Sequence, residues 1–84
     1  MTTYTLLRRA QRAFEKSDLS QRDVARALDV NPSSVSRALR NGGLQYTAMQ
    51  ARILSHLTGV PVERQSVYEG AHVRHRWIMA PEVG

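Results

Sequence analysis

The chain of 84 residues contains no cysteine. This absence excludes a disulfide framework and any metal site built on thiolates, and it suits a reducing compartment. No apolar run is long enough to cross a bilayer, and the N-terminus lacks the apolar segment of a secretory signal. We therefore expect a cytoplasmic protein with no membrane partner.

Motifs for catalysis are also missing. The sequence has no nucleophile elbow, no paired-carboxylate motif and no metal signature, and a chain this short has little interior in which to build a deep pocket. His72 and His75 lie three residues apart, but a structural zinc site typically needs four ligands. We expect no enzyme activity, no metal and no cofactor.

Acidic residues are few and unevenly placed. The chain has twelve Lys and Arg residues and seven Asp and Glu residues, which gives a net charge of +5 at pH 7. Between Val30 and Val62 there are three arginines and no acid. A small basic domain points to a polyanionic partner, although charge alone leaves open a basic surface that is merely solvated.

The stretch from Ser20 to Gly42 indicates two short helices around a tight turn. In the first helix, over Gln21–Leu28, Ser20 is a good N-cap and Asp23 supplies the acid of a capping box. Apolar residues follow at helical spacing along one face. Two short helices joined in this way suit a helix-turn-helix motif.

The second helix of this pair is predicted over Pro32–Arg40. Asn31 is its N-cap, and proline is well tolerated at the first helical position because its missing N–H would have no partner there. We expect the helix to end at the run Asn41-Gly42-Gly43, whose residues tolerate a left-handed backbone. Its outward face is hydrogen-bonding and cationic, with no acid: Ser33, Ser34, Ser36, Arg37 and Arg40.

The run QRDVARALDVNPSSVSRALRNG resembles the helix-turn-helix of the phage Cro/repressor family, also called the XRE-like family. The shared marks are Gln21 with Ala25, Val30 before the second helix, and the Val-Ser-Arg triplet that ends at Arg37. Part of the run also looks like the headpiece of LacI-type repressors, but a full helix precedes it here, which favours the Cro/repressor class. One departure is Asp29, which stands where the family usually has a glycine.

The resemblance implies a transcriptional regulator, most simply a repressor of a phage or mobile element, that binds double-stranded DNA sequence-specifically. Arg37 is the first choice for base readout, since a guanidinium can donate two hydrogen bonds to guanine O6 and N7. The resemblance implies that Gln21 contacts the DNA backbone and braces the second helix. For Tyr46, a core position is an equal alternative to a phosphate contact. The predicted DNA-binding residues are Gln21, Arg22, Asn31, Ser33, Ser34, Ser36, Arg37, Arg40, Asn41 and Tyr46.

Further helices are predicted on both sides of this pair, over residues 4–17 and 46–58. In the first of them, Leu7, Ala10 and Phe14 are the expected core positions, with Leu6 as a further candidate. The predicted fold is all-α or mostly α: a bundle of four to five helices with a helix-turn-helix, plus a C-terminal extended or hairpin segment. Residues 1–60 form the DNA-binding part, and residues 61–84 form a C-terminal segment of the same domain.

The segment from Val62 to Met79 has two interpretations. It could begin as a short helix, or it could form a strand that turns at Glu69-Gly70 into a second strand. We expect extended structure, because valine, tryptophan and isoleucine favour strands. One short recognition helix reads few base pairs, so we predict a homodimer on a palindromic operator. Its interface, or a surface for a partner protein, would be Val67, Tyr68, Val73, Trp77, Ile78 and Met79, although Trp77 equally suits the core.

Two other classes of function remain open. An antitoxin-type autoregulator would use the same DNA-binding part and wrap its C-terminal segment on a partner protein. A helical protein-interaction module would have no role on DNA. A C-terminal segment that is disordered in the free protein and orders with a partner would favour the antitoxin. Salt tests the interaction module, because binding to phosphates weakens steeply as the salt concentration rises, whereas an apolar protein interface is much less sensitive.

Overall fold

The computed structural model describes residues 1–79, without the side chains of Val67, Glu69, Arg74 and His75. Residues 80–84 of the predicted C-terminal segment lie outside the described residues. The described chain is mostly helical and carries a two-stranded antiparallel sheet, which confirms a mostly α fold with an extended C-terminal segment. The elements in order are α1 (Thr3–Ser17), α2 (Gln21–Leu28), α3 (Pro32–Arg40), a 3₁₀ turn (Leu44–Tyr46), α4 (Thr47–Thr58), β1 (Val62–Glu69) and β2 (His72–Met79).

The bounds of α2 and α3 are those that the capping residues predict. Ser20 and Asp23 form the capping box, in which the Ser20 hydroxyl accepts from the Asp23 N–H and the Asp23 carboxylate accepts from the Ser20 N–H, each at 3.1 Å. At the other end of α2, Asp29 takes a left-handed backbone with φ of 57°. Asp29 therefore adopts a backbone conformation that glycine takes at less cost.

Replacing Asp29 with glycine is expected to raise the free energy of unfolding by about 0.5–1 kcal/mol. The left-handed backbone costs glycine less than aspartate, and the change also removes a negative charge from the negative end of α2. Urea unfolding should show a higher midpoint with an unchanged slope. Asp18→Gly is a parallel test rather than a control, because Asp18 has the same φ of 57° at the end of α1, and it should raise the midpoint in the same way. If the midpoint of Asp29→Gly is at or below that of the native chain, the left-handed backbone at Asp29 is not strained.

The core lies where all four helices meet. Its buried apolar side chains are Leu6, Ala10, Val24, Ala25, Val35, Ala38, Leu39, Ala51, Ile53 and Leu54. The sequence placed Leu7 in the core of α1, but Leu6 is the residue that is fully buried, while Leu7 and Phe14 are half-buried. The difference arises because α1 packs mainly against α4, and this contact sets the rotation of α1 about its axis.

The two strands form a hairpin that packs on the helices at its base only. Gly70, with φ of 61°, and Ala71 form the turn, and a glycine at the first position is typical of a type II′ turn. At the base, Val62, Trp77 and Met79 pack against the core. The outer edge of β2 is bonded to the N-terminal residue, since the Trp77 N–H donates to the Met1 carbonyl at 3.1 Å.

Candidate nucleic-acid interface

The outward face of α3 is polar, as the sequence predicts. Val35, Ala38 and Leu39 are buried on its inner side, so the helix is held by one apolar stripe. On the outer side, Ser33, Arg37 and Arg40 are exposed, and Ser34 and Ser36 are half-buried. This face has hydrogen-bonding groups and two positive charges, and it contains no acid.

The first turn of α3 has no side-chain cap. Asn31 takes the N-cap position with an extended backbone, as predicted, but its side chain makes no capping hydrogen bond. The Ser34 N–H donates instead to the Asn31 backbone carbonyl at 2.9 Å. The exposed Asn31 amide is therefore available to a ligand beside Ser33.

The C-terminal end of α3 is held by three side-chain amides, which we call the amide clamp: Gln11, Asn41 and Gln50. Gln11 Nε2 donates to the Leu39 carbonyl at 2.8 Å, and Asn41 Nδ2 donates to the Arg37 carbonyl at 2.7 Å. Asn41 itself has φ of −121°, an extended backbone, and neither Gly42 nor Gly43 has a positive φ. The helix therefore ends at the predicted residues without the left-handed backbone that they tolerate, because side-chain donors satisfy its last carbonyls.

Gln50 is the central member of the amide clamp. It lies on α4, is fully buried, and donates from Nε2 to the carbonyls of Ala38 at 2.9 Å and Asn41 at 2.8 Å. Among the described residues, Gln50 Oε1 is a buried side-chain atom without a hydrogen-bond partner. Sequence analysis did not single out Gln50, although a glutamine within the apolar stripe of α4 was the available signal.

Residues at the start of α2 lie beside α3. Gln21 is half-buried and lines a surface cleft of about 380 Å³ together with Leu39 and Arg40. Arg22, next to it, is exposed. Gln21 is thus placed where it can brace α3, while its contact with DNA stays a prediction.

The capping box at this end of α2 has a pH dependence with a defined sign. The hydrogen bond from the Ser20 backbone N–H is the main reason that the pKa of Asp23 lies below its ordinary value of 3.8, and the Ser20 hydroxyl acts in the same direction. The positive charges of Arg26 and Arg22 lower this pKa further. The ionised carboxylate therefore stabilises the folded chain above pH 3.8, and this contribution is lost as the pH falls through the lowered pKa.

Asp23→Asn is expected to remove this part of the acid dependence. Urea unfolding at a series of pH values should show a shallower loss of stability below pH 3.8 in the variant than in the native chain. Glu15→Gln, which removes an exposed carboxylate outside the capping box, is the control. The same loss of stability at acid pH in the native chain and in Asp23→Asn would refute the role of the capping box.

Tyr46 and Arg52 both make contacts inside the fold. Tyr46 is half-buried and packs against the core, and its predicted phosphate contact stays a prediction. Arg52, on α4, donates from Nη2 to the Leu28 carbonyl at 2.8 Å and so ties α4 to the end of α2. Sequence analysis counted Arg52 only as a charge, because its partner is 24 residues away.

The six residues predicted for a dimer or partner interface fall into separate groups. Trp77 and Met79 are half-buried against the core. Tyr68 and Val73 are directly opposite each other near the tip of the hairpin and are 76% and 50% exposed. Ile78 lies on the other face of the hairpin and is 36% exposed. The side chain of Val67 lies outside the described part of the chain.

Comparison with family models, with curated proteins and with solved structures finds no match to this chain. Among the described residues, no group of three or more His, Cys, Asp or Glu is placed to hold a metal ion. No helix within residues 1–79 is long and apolar enough to cross a bilayer. The case for a function therefore rests on this chain's own residues.

Proposed function

We propose that this chain is a helix-turn-helix protein that binds duplex DNA sequence-specifically and regulates transcription, most simply as a repressor. The observation that supports this proposal is the outward face of α3, where Ser33, Arg37 and Arg40 are exposed without any acid. The major groove is about 12 Å wide and admits an α-helix of this kind.

Each polar group of α3 has a defined role in this proposal. Arg37, in the middle of the helix, donates to the edge of a guanine. Ser33 and the uncapped Asn31 contact bases or phosphates from the first turn. Arg40, one turn nearer the C-terminus, and Arg22 at the start of α2 contact phosphates, which supply affinity and little sequence information.

The proposal includes a homodimer. A helix of nine residues is about 14 Å long and spans only a few base pairs. Two copies related by a two-fold axis would read two half-sites about 34 Å apart, which is one turn of DNA. The operator should then be a palindrome or close to one.

The test is binding to DNA from upstream of the chain's own gene and to scrambled DNA of the same length and composition. Affinity is measured by fluorescence anisotropy at several salt concentrations. We expect preferential binding to the upstream DNA and a steep loss of affinity as the salt concentration rises. Equal, weak binding to both duplexes would contradict sequence specificity. Absence of binding at low salt would refute a DNA function and favour a protein-interaction module.

The antitoxin-type alternative has one observation in its favour. Tyr68 and Val73 expose apolar surface near the tip of the hairpin, where a partner protein could bind. The DNA-binding part of the proposal is the same in both cases, so the identity of the group that covers Tyr68 and Val73 decides between them.

A further inference from the structure

One face of the hairpin carries apolar side chains both near its tip and at its base. Residues directly opposite each other in an antiparallel pair share a face, and each strand returns to that face at every second residue. Tyr68 pairs with Val73, and Trp77 lies four residues further along β2, so all three belong to the face that packs on the core. We call the exposed pair Tyr68 and Val73 the hairpin knob.

The second feature is an open cleft between the base of the hairpin, α4 and the end of α2, which we call the α4 notch. It has a volume of about 510 Å³. Its apolar walls include Leu28, Ala48 and Trp77, and Arg52 and His56 are its charged or titratable side chains. Ala48, Arg52 and His56 are exposed to solvent.

The hairpin knob cannot fill the α4 notch of its own chain. Val73 and Trp77 are four residues apart on one paired strand, which separates them by about 13 Å. Bending the strand back would break the pairing that runs along the whole hairpin. A small ligand also fits poorly, because small-molecule sites usually enclose most of the ligand surface and this cleft is open.

We propose that the α4 notch is the docking site for the hairpin knob of a second copy of this chain. This inference rests on the proposed function in one respect, since a two-fold dimer is what DNA half-sites require. A two-fold axis between the level of Tyr68 and the level of Trp77 places each knob in the notch of the other copy. The same contact is thus made twice, as an isologous interface requires.

The chemistry of the α4 notch suits the side chain that enters it. A buried tyrosine contributes an apolar ring and a hydroxyl that needs a hydrogen-bond partner. Arg52 uses Nη2 for the Leu28 carbonyl, and a guanidinium has further N–H donors. These donors and His56 lie at the notch and can bond the Tyr68 hydroxyl of the other copy.

The size of this contact indicates a weak dimer in the free protein. Two buried tyrosines, two valines and the walls they cover give an interface on the order of 1,000 Å² in total. Interfaces below about 1,200 Å² belong mostly to weak and reversible complexes. The free protein should therefore dimerise only at high concentration, and binding of two copies to neighbouring half-sites on DNA should favour the dimer.

The test uses the full chain without DNA, in sedimentation-velocity experiments over a range of concentrations. Tyr68→Ser removes the knob, and Ala48→Lys fills the notch from an exposed position on α4. Each variant is expected to weaken dimerisation at least about tenfold. Tyr4→Ser is the matched control, because it makes the same substitution at an exposed tyrosine of α1 that belongs to neither the knob nor the notch, and it should leave dimerisation unchanged.

Mixing the two variants gives a result that a folding defect cannot imitate. Tyr68→Ser keeps its notch and Ala48→Lys keeps its knob, so a mixed dimer retains one of the two contacts and should form more readily than either variant alone. Native protein that stays monomeric at every concentration would overturn the proposal, and so would a Tyr4→Ser variant that dimerises as weakly as Tyr68→Ser. Dimerisation without DNA binding would refute the proposed function alone, and a native dimer that binds the operator specifically and is weakened by neither Tyr68→Ser nor Ala48→Lys would refute the docking alone.

Discussion

Arg37→Ala is expected to lower the affinity for the cognate operator by about tenfold to a hundredfold, or roughly 1–3 kcal/mol. Arg37 is exposed in the middle of the acid-free face of α3, where a guanidinium can reach the edge of a guanine. Alanine keeps the helix and removes both hydrogen bonds to that base. The loss should be largest on the native operator, and the preference at one base pair of each half-site should relax.

The measurement is a set of dissociation constants for operators that carry each of the four base pairs at every position. Arg40→Ala is the matched control, since Arg40 is another exposed arginine of the same helix. It should lower affinity about equally on all sequences and reduce the salt slope by about one. A uniform loss in Arg37→Ala would instead make Arg37 a phosphate contact. An unchanged salt slope in Arg40→Ala would refute its phosphate contact.

Gln50→Glu is expected to have the largest effect on stability, about 3–5 kcal/mol. Gln50 is fully buried, and its Nε2 bonds two carbonyl oxygens at the end of α3. A glutamate would place a negative charge against those two oxygens without a donor to offset it. A small domain has only about 5–15 kcal/mol of stability in all, so the variant should lose a large part of its stability near neutral pH.

Urea unfolding followed by circular dichroism measures the change. Gln45→Glu makes the same substitution at an exposed position in the 3₁₀ turn and should change stability by less than about 0.5 kcal/mol. Part of the stability lost in Gln50→Glu should return as the pH falls, because the protonated carboxyl is neutral and can donate one hydrogen bond. A Gln50→Glu variant as stable as Gln45→Glu would show that the amide clamp is dispensable.

Local chemistry was enough to predict the bounds of α2 and α3. Ser20, Asp23 and Pro32 act on backbone groups within one helical turn, so their effect can be read from the sequence alone. The hairpin was predictable for a related reason, since valine, isoleucine and tryptophan favour strands and Gly70 allows the tight turn.

The C-terminal end of α3 was not predictable in this way. Gln11 and Gln50 reach it from 28 and 12 residues away, and only the packing of α1 and α4 brings their amides to its carbonyls. The rotation of α1 that buries Leu6 depends on α4 for the same reason. A periodic pattern gives the apolar face of a helix to within about one residue, and the neighbouring helix decides its centre.

The same distinction between local signals and distant contacts applies to the candidate site. The acid-free face of α3 follows from residue order within one helix, and its role on DNA stays a prediction. The α4 notch depends on strand register and on Arg52, whose partner Leu28 is distant in sequence. Nothing in the local pattern of α4 indicates a cleft there.

The unequal support of α3 at its two ends has a consequence for its motion. Side chains from α1 and α4 bond its last carbonyls, whereas its first turn has no side-chain cap. Helices fray first where the backbone groups lack partners. Amide hydrogens near Leu39 should therefore exchange with solvent more slowly than those near Ser33. A rigid C-terminal end and a mobile first turn would let the first turn of α3 adjust to the DNA sequence while the rest of the helix keeps its angle to the groove.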